Sequence, residues 1–318
     1  IWVTSGGTDS ILMAVKAARD HARKVRGLQG RLNLVLPRTA HPAFDKACAV
    51  MEIGVRRTPV RDLLADPEAM EAAIDGQTIM MVGSAPCFPF GLIDPIEALG
   101  ELALRRGVWL HVDACVGGYM APFVRMNGAD IAPFDFEVEG VWSMSADLHK
   151  YGYCAKGAST VFFRNGDLKS HMIFEVGDWP AGKMVTPTLA GTRPGGAIAA
   201  AWAVMNVLGE AGYRAKHAEV IAAREAIEAG VTAQGWRPLG APKLGIVAFT
   251  RDDVNPLAVL KKLYERGWVT SAVTDPPGLH LMLSPVHNQV VDAYLSDLAW
   301  ATDAARGGAA VQEARYGG

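Results

Sequence analysis

The sequence predicts an α/β protein: a large domain built on a mostly parallel sheet covered by helices, followed by a smaller C-terminal α+β domain. Three observations carry this. Short continuous apolar runs such as "TIMMVGSAP" (Thr78–Pro86) end in small residues, as strands buried on both faces do. These runs alternate with helical patterns for most of the length, which is the signature of strand-helix-strand crossovers. After Gly195 the alternation stops, and long Ala-rich helices give way to short strands mixed with helices.

The elements follow in order. The opening "IWVTSGGTDS" reads as the end of a strand running straight into a helix. No start methionine, cap or leader precedes that strand, so an N-terminal segment is expected ahead of it. The spacing of Ile11, Leu12, Val15, Ala18 and Ala22 predicts a helix over Thr8–Val25. "RLNLVLP" is strand-like, and "AFDKACAVMEIG" is helical and expected to end on Gly54. The helix of "DPIEALGELALRRG" is expected to take Asp94 as N-cap, Pro95 at its first position and Gly107 at its end. "VWLHVDAC" is the next buried strand. The Gly/Pro-rich stretch Gly177–Gly196 reads as an ordered connection, which sets the domains at 1–196 and 197–318. Beyond it come helices over Ala197–Gly209 and Tyr213–Gly230, then the strands "KLGIVAFT", "GWVTSAV" and "LHLMLSP". Two more helices are expected at Pro256–Arg266 and Val290–Ala304.

Composition removes several classes. Half of the 318 residues are apolar, a fifth are charged and the net charge is -2. No basic run of five or more residues exists, which argues against nucleic acid as a partner. "RKVR" at Arg23–Arg26 suits the exposed end of a helix. Cys48, Cys87, Cys115 and Cys154 form no C-x-x-C, and the histidines show no zinc spacing. The expectation is no metal and four reduced thiols in a cytoplasmic protein. No signal peptide and no apolar run of transmembrane length is present.

Three constellations carry chemistry. "TSGGTDS" (Thr4–Ser10) puts small residues between a strand end and a helix start, where free N–H groups favour an anion. Ser5 and Thr8 are candidate hydroxyl donors there; an ordinary helix cap is the plainer reading. "HVDAC" ends an apolar strand on Asp113, a costly place for a carboxylate unless it is paired. Asp113 suits a metal ligand, a nucleophile, a partner for a cationic ring nitrogen, or a cap of the next turn. "SMSADLHKYGYCAKG" (Ser143–Gly157) sets Lys150 beside His149, with Lys156 six residues on. Lysine becomes a nucleophile or Schiff-base former when burial or a neighbouring cation lowers its pKa. The alternative is a solvated turn lysine. An anion cradle, a buried carboxylate and a buried lysine together meet the needs of pyridoxal 5′-phosphate. His41 in "TAHPAFDKAC" is a candidate to stack on its ring.

With these residues the chain resembles the fold-type-I pyridoxal-phosphate group that contains the group II decarboxylases. Within it, the chain is most similar to the sphingosine-1-phosphate lyases. The stretches are "TSGGTDSILMAVKAARD", "HPAFDKAC", "VGSAPCFPFGLIDPI", "LHVDACVGGYMAPF", "SMSADLHKYGYCAKGAST", "PTLAGTRPGG" and "DPPGLHLMLSPVH". The resemblance implies Lys150 as Schiff-base lysine, Asp113 against the pyridinium nitrogen and His41 over the ring. It implies Gly7, Thr8 and His149 at the cofactor phosphate, and Ser84 near the ring's 3′-oxygen. Thr192, where the family commonly has Ser, would reach a phosphate across a homodimer interface that contains the active site. Lys156 would face the substrate phosphate or assist proton transfer. Asp9 stands where the family often has Glu. The implied reaction is retro-aldol cleavage of a phosphorylated long-chain amino alcohol to an aldehyde and phosphoethanolamine. The alternatives are an amino-acid decarboxylase or a non-catalytic cofactor-binding homologue. In relatives, the segment ahead of this region supplies dimer contacts, an active-site tyrosine and, in eukaryotes, a membrane anchor, so membrane association through such a segment is expected.

Overall fold

The computed structural model describes residues 1–306; residues 307–318, assigned above to the small domain, lie outside the described residues. The main sheet has seven strands: β1 (Trp2–Thr4), β2 (Asn33–Pro37), β3 (Gly54–Thr58), β4 (Thr78–Ser84), β5 (Trp109–Asp113), β6 (Val141–Ala146) and β7 (Ser159–Phe163). Their order is β1-β7-β6-β5-β4-β2-β3. The run from β6 to β3 is parallel throughout, and β7 pairs antiparallel with both β6 and β1. Six strands therefore point one way and β7 the other. As a result β1, β2, β4, β5 and β6 all deliver their last residues to one edge.

Helix α1 (Gly7–Lys24) covers one face and buries Ile11, Val15, Ala18 and Ala22, as their spacing predicts. α2 (Ala43–Met51) stops earlier than expected. Glu52 takes a left-handed conformation (φ 58°) as its C-cap, and Gly54 instead opens β3. α3 (Ile96–Arg106) ends on Gly107, but Asp94 is not its cap. The Asp94 carboxylate is buried and accepts from the backbone N–H groups of Ala65 and Ser84 at 2.8 and 2.7 Å. It fastens the end of β4, and two backbone donors outweigh the capping preference. Burial raises its pKa to about 6, against the pull of those donors.

The two Ala-rich helices are one long element, α4 (Gly195–Ala233), broken at Gly209 (φ 57°). A second sheet follows, in the order β8-β9-β11-β10: β8 (Arg237–Pro238), β9 (Ile246–Thr250), β10 (Ser271–Thr274) and β11 (Pro277–Met282). α5 (Pro256–Glu265) and α6 (Val291–Ala305) complete it. One apolar core joins Leu110 and Val112 of β5 to Val247 and Phe249 of β9 and Leu298 of α6. The connection 177–196 contains the strand Met184–Thr186, paired with Phe174–Val176.

Backbone packing constrains the entry to β6. A Cβ on Gly140 would fall 2.2 Å from the Gly100 carbonyl oxygen of α3, where only backbone could give way. Gly140→Ala is expected to cost about 1–3 kcal/mol in denaturant unfolding. Gly76→Ala, with nothing within 4 Å, is expected to stay within about 0.5 kcal/mol. Equal stability of the two variants would contradict this packing.

Candidate active site

The shared strand edge collects the candidate residues. Ser84 ends β4, Asp113 ends β5, and Ala146 ends β6 immediately before Asp147. Register aligns Ser84 with Asp113 and Asp113 with Ser145. His41 lies four residues past β2, and Gly7 opens α1 just past β1. This is the edge at which open α/β sheets bind ligands.

Lys150 belongs to a turn that the rest of the chain holds tightly. The backbone bonds His149 N–H to Ala158 O, Tyr153 N–H to Lys150 O and Cys154 N–H to Leu148 O close it. Tyr151 donates to the Leu283 carbonyl at 2.7 Å, and Tyr213 donates to the Gly152 carbonyl at 2.8 Å. Gly152 is required, since a Cβ there would lie 2.4 Å from the Leu148 oxygen. The stretch is thus both a turn and a mount for an amine.

The ammonium of Lys150 lies 2.9 Å from Asp147 Oδ2. Asp147 is 2% exposed and takes a second bond from Ser159 Oγ at 2.5 Å. Ser159 bonds Ser10 at 2.9 Å and Ser10 bonds Thr4 at 2.6 Å, a hydroxyl chain running back under α1. Burial disfavours the Lys150 cation, but the Cys115 sulfur and the Asp147 and Asp113 carboxylates outweigh it and raise the pKa above that of ordinary lysine. Burial pushes the Cys115 thiol well up, so that group is neutral and the two carboxylates carry the effect at neutral pH. Burial likewise opposes the Asp113 carboxylate. His41, Lys150 and the Cys115 N–H, 3.1 Å away, still hold its pKa below the usual value. His41 accepts from Ala43 N–H through Nδ1 at 3.1 Å, and burial lowers its pKa.

The remaining expected residues divide. Gly7 fits closely, because a Cβ there would lie 2.8 Å from both Asp147 Oδ2 and Cys115 Sγ. Thr8 is exposed on the first turn of α1. Ser5 is already engaged: its N–H and Oγ both donate to Asp9. Burial lowers the pKa of His149, and its Nδ1 is buried with no hydrogen-bond partner. Ser84 Oγ is buried and likewise unpartnered. Lys156 is exposed, and its field acts on His149. The Lys150 pKa is raised, so that amine rests as a cation. Thr192 is exposed in the loop before α4, where its neighbour Arg193 lies over the Trp2 ring. Asp147 went unmarked in the sequence, although it sits three residues before Lys150, within one turn's reach.

A buried anionic carboxylate, an amine held beside Asp147, an unpartnered hydroxyl at Ser84, and an unpartnered His149 nitrogen near Gly6 at the start of α1 suit a phosphorylated pyridinium aldehyde. Residues 2–251 match the pyridoxal-dependent decarboxylase conserved domain. The chain is 44% identical over 303 residues to a sphingosine-1-phosphate lyase of Oryza sativa subsp. japonica, covering 95% of this chain and 56% of the relative. It is 43% identical to the enzyme of that name from Arabidopsis thaliana, with the same coverage. A Burkholderia pseudomallei sphingosine-1-phosphate lyase structure superposes with a TM-score of 0.92 at 38% identity, over 96% of this chain and 70% of that one. The fold is thus that of the fold-type-I pyridoxal-phosphate proteins. The chain belongs to the pyridoxal-dependent decarboxylase family, with pyridoxal 5′-phosphate as its cofactor. It spans about half the length of the curated relatives it matches.

Removing the Asp147 charge should free the Lys150 amine. In the cofactor-free protein, Asp147→Asn is expected to speed acylation of Lys150 by an amine-selective reagent roughly tenfold at pH 8, read by peptide mass spectrometry. A rate equal to wild type would mean that Asp147 does not stabilise the Lys150 ammonium.

Proposed function

We propose that this chain carries the catalytic core of a carbon–carbon lyase acting on phosphorylated long-chain 2-amino-3-hydroxy compounds. The observation that carries the reading is Lys150 held 2.9 Å from Asp147, within the field of Asp113, with Asp147 packed against Gly7 at the start of α1, in a chain whose relatives of 44% and 43% identity bear the lyase name. When bound, pyridoxal phosphate supplies an electrophilic aldehyde and a protonated ring that accepts the electron pair of the bond being broken.

The chain's own residues do the rest. Lys150 would supply the amine that engages the aldehyde, and Asp147 holds that amine in place. Asp113 would stay anionic opposite the ring nitrogen. His41 would lie over the ring, and Ser84 would bond the 3′-oxygen. The N–H groups at Gly7 and Thr8, with His149, would hold the cofactor phosphate. Lys156, exposed at the rim, meets the substrate phosphate. A base takes the 3-hydroxyl proton, the C2–C3 bond breaks to release the aldehyde, and a proton returned to C2 gives phosphoethanolamine. A cavity of about 710 Å³ opens beside His41. Its arginines Arg38 and Arg57 are paired with Asp275 and Asp45, which leaves Phe88, Phe90 and Leu63 as a wall for the apolar chain.

A second copy of the chain would complete the site. Trp179, Leu189, Trp202 and Val207 are exposed on the segments flanking Thr192, which supports a homodimer there and a Thr192 contact across it. No helix among the described residues is long and apolar enough to cross a membrane. Four free buried thiols suit a cytoplasmic setting.

The matched domain's decarboxylase description supports a second reading, release of carbon dioxide from an amino acid. Products separate the two. The full-length, cofactor-loaded protein is expected to release long-chain aldehyde from sphingosine 1-phosphate and to sediment as a dimer. Lys150→Ala should lower the rate by roughly 10³-fold or more. No aldehyde above a cofactor-free control, with carbon dioxide released from amino acids, would favour the decarboxylase.

A further inference from the structure

Behind Asp113 runs a buried polar chain that the roles above do not use. Trp109, His111 and Asp113 alternate along β5 and so share one face of the sheet. Ser143 and Ser145 stand opposite His111 and Asp113 on β6. Trp109 is 1% exposed, and His111, Ser143 and Ser145 are wholly enclosed. Trp109 Nε1 lies 2.7 Å from Ser143 Oγ, and Ser143 Oγ lies 2.7 Å from His111 Nδ1. His111 Nε2 lies 3.2 Å from Ser145 Oγ, which lies 3.3 Å from Asp113 Oδ1.

Counting protons fixes the direction. An indole N–H can only donate and a carboxylate can only accept. Ser143 accepts from Trp109, so its single proton goes to Nδ1 of His111. Ser145 spends its proton on Asp113, so it must accept from Nε2–H of His111. The other neutral tautomer would leave the Ser143 proton without an acceptor and ask Ser145 to donate twice. An imidazolium would fill both acceptor positions of Ser143 with donors and likewise leave the Ser143 proton without an acceptor. Burial also keeps His111 neutral, with its pKa lowered to about 4.

We propose that His111 is a positioning residue: held as the Nε2–H tautomer by Trp109 and Ser143, it turns Ser145 so that its hydroxyl bonds the Asp113 carboxylate. Donors polarised in series strengthen the last bond of such a chain. The consequence concerns the cofactor and rests on Asp113 being the ring-nitrogen partner. Once the Lys150 amine is committed to the cofactor, its charge no longer supports Asp113. The Cys115 N–H and the Ser145 hydroxyl then keep the carboxylate anionic.

Two measurements test this on the full chain. The first is nitrogen NMR of the cofactor-free protein with ¹⁵N-labelled histidine. His111→Gln identifies the signal among the eight histidines. A neutral Nε2–H ring is expected, and an Nδ1–H ring or an imidazolium at neutral pH overturns the proposal. The second is the Kd for pyridoxal phosphate. Ser145→Ala is expected to weaken binding about tenfold, while Ser145→Thr, which keeps the hydroxyl, restores it. Unchanged affinity in Ser145→Ala removes the coupling to Asp113. Wild-type affinity in Asp113→Asn would instead sink the role given to Asp113, a failure separate from that of the tautomer.

Discussion

Everything at this site depends on one buried charge arrangement: the Lys150 ammonium held at 2.9 Å by Asp147, with Asp113 anionic nearby. Buried charges are costly unless paired and hydrogen-bonded. Here each carboxylate has its own supply of donors. Asp147 draws on Ser159 and, behind it, Ser10 and Thr4. Asp113 draws on Cys115 and Ser145. Removing one member leaves its partner's charge exposed to the low-dielectric interior, so the group behaves as a unit.

The sheet topology makes that unit feasible. Parallel strands end at one edge, so residues far apart in sequence arrive side by side. β7, the reversed strand, begins at that same edge and supplies Ser159 where β6 delivers Asp147. β1 pairs Thr4 with Ser159, which carries the hydroxyl chain across to α1. The same geometry brings the Gly7 backbone against Asp147, where any side chain would collide. Tyr151 fastens the lysine turn to the second sheet through Leu283, so the amine's position depends on both halves of the core.

Much of this was legible in the sequence, for physical reasons. Uniformly apolar strands such as β4 and β5 announce themselves, as does the apolar stripe of α1. Lys150 and Asp113 stood out because charge in apolar company is expensive. Asp94 was misassigned because a carboxylate before Pro95 resembles a cap, whereas its real donors come from Ala65 and Ser84, distant elements invisible to local reading. The apolar signal of β6 is broken by the buried Ser143 and Ser145, and β7 opens on the polar pair Ser159 and Thr160 before its short apolar run. Those same serines are what the site uses. Asp147 was passed over because local sequence cannot say which way a side chain turns. The small neighbours Ala155 and Gly157 leave Lys156 open to solvent. A period-two reading of Trp109, His111 and Asp113 against Ser143 and Ser145 would have exposed the chain behind Asp113.

The central claim is that Lys150 is the amine built to engage the cofactor. Borohydride reduction of the pyridoxal-phosphate-loaded full-length protein, followed by peptide mass spectrometry, tests it directly. A single pyridoxyl label on Lys150 is expected. A label on Lys156 instead, or no labelled lysine in a protein that retains the cofactor, would contradict it.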